Sequence, residues 1–140
     1  MAINFNSIHL EVIDLNSNSS PDIFVNQNII SFSKRVIEDL GYSQTVQYCV
    51  DPANKVFAIR ACKANDTRAV SFSKPKAEQT STLSTGNKNL REVLFAMIPN
   101  HDPKKRYKIT GEYDSENKTM YFDMATAEGS YYRVSSSKTE

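Results

Sequence analysis

Apolar and polar residues alternate along several stretches of this chain, the pattern of strands with one buried face. Ile8, Leu10 and Val12 alternate with His9, Glu11 and Ile13 and predict a first strand. Residues 16–21 are rich in Asn and Ser and predict a loop. A short strand is expected over 29–32. Ser33 is a suitable N-cap for a short helix over 34–40, with Val36, Ile37 and Leu40 as its apolar side, and Gly41 supplies a left-handed stop. A hairpin follows. Val46, Tyr48 and Val50 alternate with Gln47 and Cys49, and Phe57 and Ile59 share one face of a return strand over 55–61. The turn Asp51-Pro52-Ala53-Asn54 joins them: Asp bonds nearby backbone, and Pro presets φ at the second position. Residues 63–68 read as a polar loop and 69–72 as a short strand.

Residues 73–88 are polar, carry Pro75 and Gly86, and lack periodicity, so they read as a linker. A helix is predicted over 89–98 from Leu90, Val93, Leu94 and Met97, and Pro99 stops it. A second hairpin follows, with Tyr107, Ile109, Gly111 and Tyr113 alternating with Lys108, Thr110 and Glu112, a turn at Asp114-Ser115-Glu116-Asn117, and a return strand over 119–123. The tail from Ser135 is expected to fray. The two hairpins align at an offset of 63, with Asp51, Asn54, Lys55, Phe57 and Ile59 falling on Asp114, Asn117, Lys118, Met120 and Phe122. Each hairpin follows a helix. The expected fold is therefore a single α+β domain, 1–140, of two strand–helix–hairpin repeats packed as a small swapped-hairpin-like barrel. The first half repeat is 29–72 and the second 89–123.

The run Ile29-Ile-Ser-Phe-Ser-Lys-Arg-Val-Ile-Glu-Asp-Leu-Gly41, with the hairpin that follows to Ala61, resembles the swapped-hairpin module of AbrB/SpoVT-like proteins. In that family an extended lead-in, a short helix ending near Leu-Gly and a β-hairpin interlock with a second copy. In the MraZ branch both copies lie in one chain, which a tandem repeat here would match. The resemblance implies a DNA-binding transcription regulator that uses basic residues on the exposed barrel face. Two features depart from the family: Asn28 and Ser33 stand where it has a Gly-Arg lead-in and a Pro, and the second half has a longer helix and an extra loop, 99–106. The whole chain is also similar to small proteins of Gram-positive bacteria and their mobile elements, phages included, a likeness that brings no activity with it.

Composition adds little to this picture. A length of 140 residues suffices for a core without disulfide or metal staples. No apolar run is long enough to span a bilayer, and 1–15 lacks the basic-then-apolar order of a signal peptide, so a cytoplasmic protein with no membrane partner is expected. The Asn-x-Ser/Thr matches at Asn18, Asn65 and Asn117 then read as chance. Cys49 and Cys62 fit a reducing compartment, with Cys49 expected to be small and buried, and no His stands at ligand spacing, so no metal is assigned. The net charge is only +1, but residues 31–76 carry eight basic and four acidic side chains.

DNA binding needs Lys and Arg to replace phosphate counterions. Candidates are Lys34, Arg35, Arg60, Lys63 and Arg68, together with Lys104, Lys105 and Arg106 in the densest basic run, where Tyr107 could stack on a base. Such a run is more often a solvated loop before a strand, and the nearly matching acids Glu112, Asp114 and Glu116 would blunt its field. Tyr113, Tyr121, Tyr131 and Tyr132 offer an aromatic surface for a protein partner or for cross-strand packing. No catalytic residue is assigned: His101-Asp102 places no base beside a nucleophile, no Gly-x-Ser-x-Gly elbow occurs, and 84–88 lacks phosphate-loop spacing. A non-enzymatic binding protein without cofactor is the expectation, with DNA as first partner. The alternative is an accessory protein that binds and inhibits a host protein. A homodimer is compatible with either. The near-neutral charge favours the second partner, and the helix–hairpin order favours the first.

Overall fold

The computed structural model describes residues 4–10, 20–79 and 83–131. It is an α+β structure built on one curled antiparallel sheet, a half-barrel of nine strands among the described residues. In chain order the strands are β1 (Asp22–Val25), β2 (Ile30–Phe32), β3 (Thr45–Asp51), β4 (Val56–Ala61), β5 (Val70–Ser71), β6 (Leu83–Thr85), β7 (Lys105–Asp114), β8 (Thr119–Asp123) and β9 (Glu128–Tyr131). Helix α1 (Lys34–Asp39) follows β2, and α2 (Lys88–Met97) follows β6. Neighbours across the sheet run β5-β3-β4-β8-β7-β1-β2-β6, and β9 pairs with β7.

Period-two alternation builds the core. Ile23, Val25, Ile30, Phe32, Val46, Phe57, Ile59, Tyr107, Ile109, Met120 and Phe122 are buried from the strands, and Val36, Ile37, Leu40, Leu94, Met97 and Ile98 join them from the helices and their ends. The rings of Tyr48, Phe57 and Phe122 follow one another across β3, β4 and β8 at centroid spacings of 5.8 Å. No helix among the described residues is long and apolar enough to cross a membrane.

Both hairpins form about the expected turns. In each turn the Asn side chain donates back to the Asp carboxylate, Asn54 Nδ2 to Asp51 Oδ2 at 2.8 Å and Asn117 Nδ2 to Asp114 Oδ2 at 2.6 Å, and the next residue, Lys55 or Lys118, takes a left-handed φ near +57° or +51°. These bonds favour the ionised carboxylate and hold Asp51 and Asp114 below the usual Asp range. The return strands pair with each other, Phe57 opposite Phe122 and Ile59 opposite Met120.

Several expectations are corrected. Residues 8–10 are not a strand: Leu10 is 92% exposed, and the short 3₁₀ turn Phe5–Ser7 precedes it. The alternation there has no neighbouring strand to pair with among the described residues, and 11–13 lie outside them. The unpredicted β1 instead pairs with both β2 and β7. Its apolar run Ile23-Phe24-Val25 is too short for a period to show. Within the stretch read as a linker, Leu83–Thr85 forms β6 on the edge of β2. Ser33 stands at the N-cap of α1 without capping it, because its hydroxyl accepts from the Asp22 N–H at 2.9 Å and donates to the Ser20 carbonyl at 3.1 Å. Cys49 and Cys62 are half-buried free thiols. The tail from Ser135, and Tyr132, lie outside the described residues.

Candidate nucleic-acid interface

Strand β7 positions the densest basic run. Its inward residues, Tyr107 and Ile109, are buried, so alternation turns Arg106, Lys108, Thr110 and Glu112 to the outer face. Lys105 and Arg106 thus belong to the strand rather than to a loop, with Lys104 in the turn before it. That turn is held at both ends. Asp102 Oδ1 accepts from the Lys104 N–H at 2.9 Å, and the Tyr107 hydroxyl accepts from the Asp102 N–H at 2.6 Å. Tyr107, only 5% exposed, packs edge-on against Phe95 of α2 and is not available to a base, a correction to the sequence expectation.

Two strands flank this end of β7. On one side β1 sets Phe24 opposite Lys108, and the Arg106 guanidinium lies 4.1 Å from the centre of the Phe24 ring. On the other side β9 sets Glu128, Gly129, Ser130 and Tyr131 opposite Lys108, Tyr107, Arg106 and Lys105. Gly129 is required there, because a Cβ would stand 2.7 Å from the Tyr107 ring. A shallow cavity of about 300 Å³ lies among Phe24, Arg106, Lys108, Glu128, Gly129 and Ser130. Around the strand end, Lys105 Nζ sits 5.0 Å from the centre of the Tyr131 ring, which is 68% exposed. None of Lys104, Lys105, Arg106 and Lys108 makes an ion pair with a carboxylate among the described residues.

The buried carboxylate of Asp22 anchors β1 beside this corner. It accepts from the hydroxyls of Thr110 at 2.6 Å and Ser20 at 2.7 Å. Both bonds are internal, so they serve the pairing of β1 with β7.

The other sequence candidates lie elsewhere. Lys34 is exposed at the start of α1, and the Arg35 Nε donates to Asp39 Oδ1 at 2.9 Å. Arg60 is exposed on β4, opposite Thr119 of β8, which in turn faces Asp114 at the far end of β7. Eight residues of strand separate Asp114 from Arg106, a span of up to about 26 Å. Lys63 borders a cavity of about 510 Å³ that also meets Asp39, Asp66, Tyr113 and Lys118, a mixed-charge setting. Burial, with Asp39 and then Asp114 nearby, pushes Tyr113 above its usual pKa. Arg68 is exposed with a left-handed φ of 55°. The structure therefore gathers Lys104, Lys105 and Arg106 with Lys108 and leaves the other five apart. Sequence reasoning missed Phe24 and Glu128 because β1 and β9 were themselves unpredicted. The Gly129-Ser130-Tyr131 run was the only local signal.

Among the described residues no three His, Cys, Asp or Glu side chains come together as a metal site. No protein-family model, curated protein or solved structure gives a significant match to the chain.

Proposed function

We propose that this chain is a nucleic-acid-binding protein, with DNA as the first candidate, and that it grips phosphates with the basic end of β7. The observation that carries the proposal is the set of four cations, Lys104, Lys105, Arg106 and Lys108, in one stretch of chain with no carboxylate among the described residues in ion-pair contact. Cations in that condition can replace condensed counterions, and the resulting affinity falls with salt. Four contacts correspond to a log–log salt slope of about −2.8 on single strands or about −3.6 on duplex. The test is a salt titration of binding with the wild type and with the double variant R106A/K108A. Loss of two contacts lowers the slope magnitude by about 1.4–1.8. Binding that ignores salt, or an unchanged slope in the variant, refutes the proposal.

The architecture is proposed to be a duplicated unit, in the tandem swapped-hairpin manner of AbrB/SpoVT-like proteins. Its support is the symmetry of the β4–β8 ladder. Shifting Phe57 and Phe122 by 63 positions, each into the other half, yields Met120 and Ile59, which are themselves paired. The ladder's ends repeat the relation: the Ala61 N–H donates to the Lys118 carbonyl at 3.0 Å, and the Met124 N–H to the Lys55 carbonyl at 2.8 Å. A regulator's role rests on the AbrB-like resemblance alone.

One observation favours a second reading, a protein partner, as for an accessory protein of a phage or mobile element that inhibits a host protein. Cys49, Val56, Ala58 and Tyr121 surround a shallow outer-face cavity of about 310 Å³, with Tyr121 42% exposed. This strip carries Arg60 and Asp51 but no basic cluster. Tyr121→Lys would abolish such an interaction and leave the salt slope on nucleic acid unchanged.

A further inference from the structure

The cations and rings at the end of β7 lie on two faces of the sheet. Arg106, Lys108, Phe24 and Ser130 share the outer face through cross-strand pairing. Lys105 and Tyr131 are one step out of phase and share the other. Between the two faces runs β9, whose far edge pairs with no strand among the described residues and so presents free backbone N–H and C=O groups. A ligand that meets both groups has to bend round an edge one strand thick.

Duplex DNA has a persistence length of about 50 nm, and turning it round an edge one strand thick is far sharper than the bends of about 40–90° over 20–30 base pairs that proteins impose on it. A single strand turns freely at each phosphodiester. The most exposed ring at the corner, Tyr131, offers a face for stacking only to an unpaired base, and Lys105 beside it supplies the charge that such platforms add. The helices do not compete as readers of a duplex groove: α1 has six residues, with Val36 and Ile37 buried, and α2 buries Leu94 and Met97.

We infer that the ligand of this corner is single-stranded nucleic acid, its phosphates held by Arg106 and Lys108 on the outer face and one base stacked on Tyr131. This rests on the nucleic-acid reading above and narrows it. Stacking tolerates any base, so binding is broad in sequence.

The experiment is fluorescence anisotropy at low salt with an oligo-dT strand and with a mixed-sequence duplex of equal length, on the wild type, Tyr131→Ala and Tyr131→Phe. Oligo-dT binds at least about tenfold more tightly than duplex. Tyr131→Ala weakens oligo-dT binding by roughly five- to a hundredfold and leaves duplex binding unchanged, while Tyr131→Phe keeps the ring and the affinity. Circular dichroism confirms that the variants are folded. Duplex binding as tight as oligo-dT binding, or a Tyr131→Ala variant as tight as wild type, overturns the single-strand inference and spares the nucleic-acid proposal. Absence of binding to both probes removes both.

Discussion

Replacing Tyr48 with Phe isolates one half-buried titrating group packed against the core. The Tyr48 ring is stacked on Phe32 at 6.3 Å and tilted against Phe57 at 5.8 Å, and its hydroxyl has no hydrogen-bond partner among the described residues. Burial pushes its pKa up from 10.0 to about 12. The unfolded chain ionises this group near pH 10, as a free Tyr does, whereas the folded protein holds the proton until about 12. Stability from this group is therefore complete below pH 10 and is lost as pH rises through 12. Two pKa units correspond to about 2.7 kcal/mol in full, and about 2 kcal/mol is already lost by about pH 11.5. Tyr48→Phe cannot ionise, so it escapes that loss. At neutral pH the variant is as stable as wild type or more so by up to about 1 kcal/mol, because the hydroxyl it removes bonds no group among the described residues. Urea unfolding at a series of pH values reads the difference directly, since every other Tyr and Lys is common to both proteins. The variant gains about 2 kcal/mol on wild type between about pH 9 and pH 11.5. Stability curves that stay parallel across this range would show that the folded protein does not shelter the Tyr48 proton.

Two further outcomes follow from the hairpins. Asp51 and Asp114 titrate low because Asn54 and Asn117 donate to them, so their contribution to stability is present above the normal Asp range and fades as pH falls through the lowered values. Asn117→Ala raises the Asp114 pKa towards normal in an NMR titration and leaves that of Asp51 in place; a shift of neither would contradict the turn geometry. Proteolytic nicking between Lys74 and Gly86 yields two fragments that co-elute on size exclusion without denaturant, because β4–β8 and β1–β7 both pair across the cut. Spontaneous separation would exclude an interlocked architecture.

Period-two alternation sufficed where both neighbouring strands exist to bury one face. That is why 45–51, 56–61, 107–113 and 119–123 were legible and why their Asp-x-x-Asn turns came with them. Residues 8–10 carry the same alternation without a neighbour, so pattern alone misled there. Strands β1, β6 and β9 span four, three and four residues, too few for a period; β1 and β9 form on the edges of the ten-residue β7, and β6 on the edge of β2. The candidate site inherits this limit. Its cations stood in one run of sequence and were found, but the ring that Arg106 covers arrives on β1 and the ring beside Lys105 on β9. Tyr107 was misassigned because strand phase decides which way a ring points, and the strand begins two residues earlier than its alternation indicated.

On the duplicated-unit proposal, the basic corner belongs to the second half alone. The offset of 63 sets Lys105, Arg106 and Lys108 against Tyr42, Ser43 and Thr45, none of them charged. It also sets β9 against 65–68, which is no strand in the first half and is tied to β3 only through the Gln47 side chain, whose Nε2 donates to the Thr67 carbonyl at 2.8 Å. The first hairpin opens at Thr45, while its counterpart β7 runs three positions further towards the N-terminus at equivalent numbering. That extension supplies most of the edge on which β9 pairs and the outward position that Arg106 fills, while Lys108 stands at the position of Thr45, where the first hairpin opens. On that proposal the halves diverge at this strand end and in their helices, six residues in α1 against ten in α2, while the paired return strands and their turns stay equivalent. If the unit is duplicated, elaboration of the second half leaves the shared β4–β8 ladder to hold the structure together while one unit carries the contact.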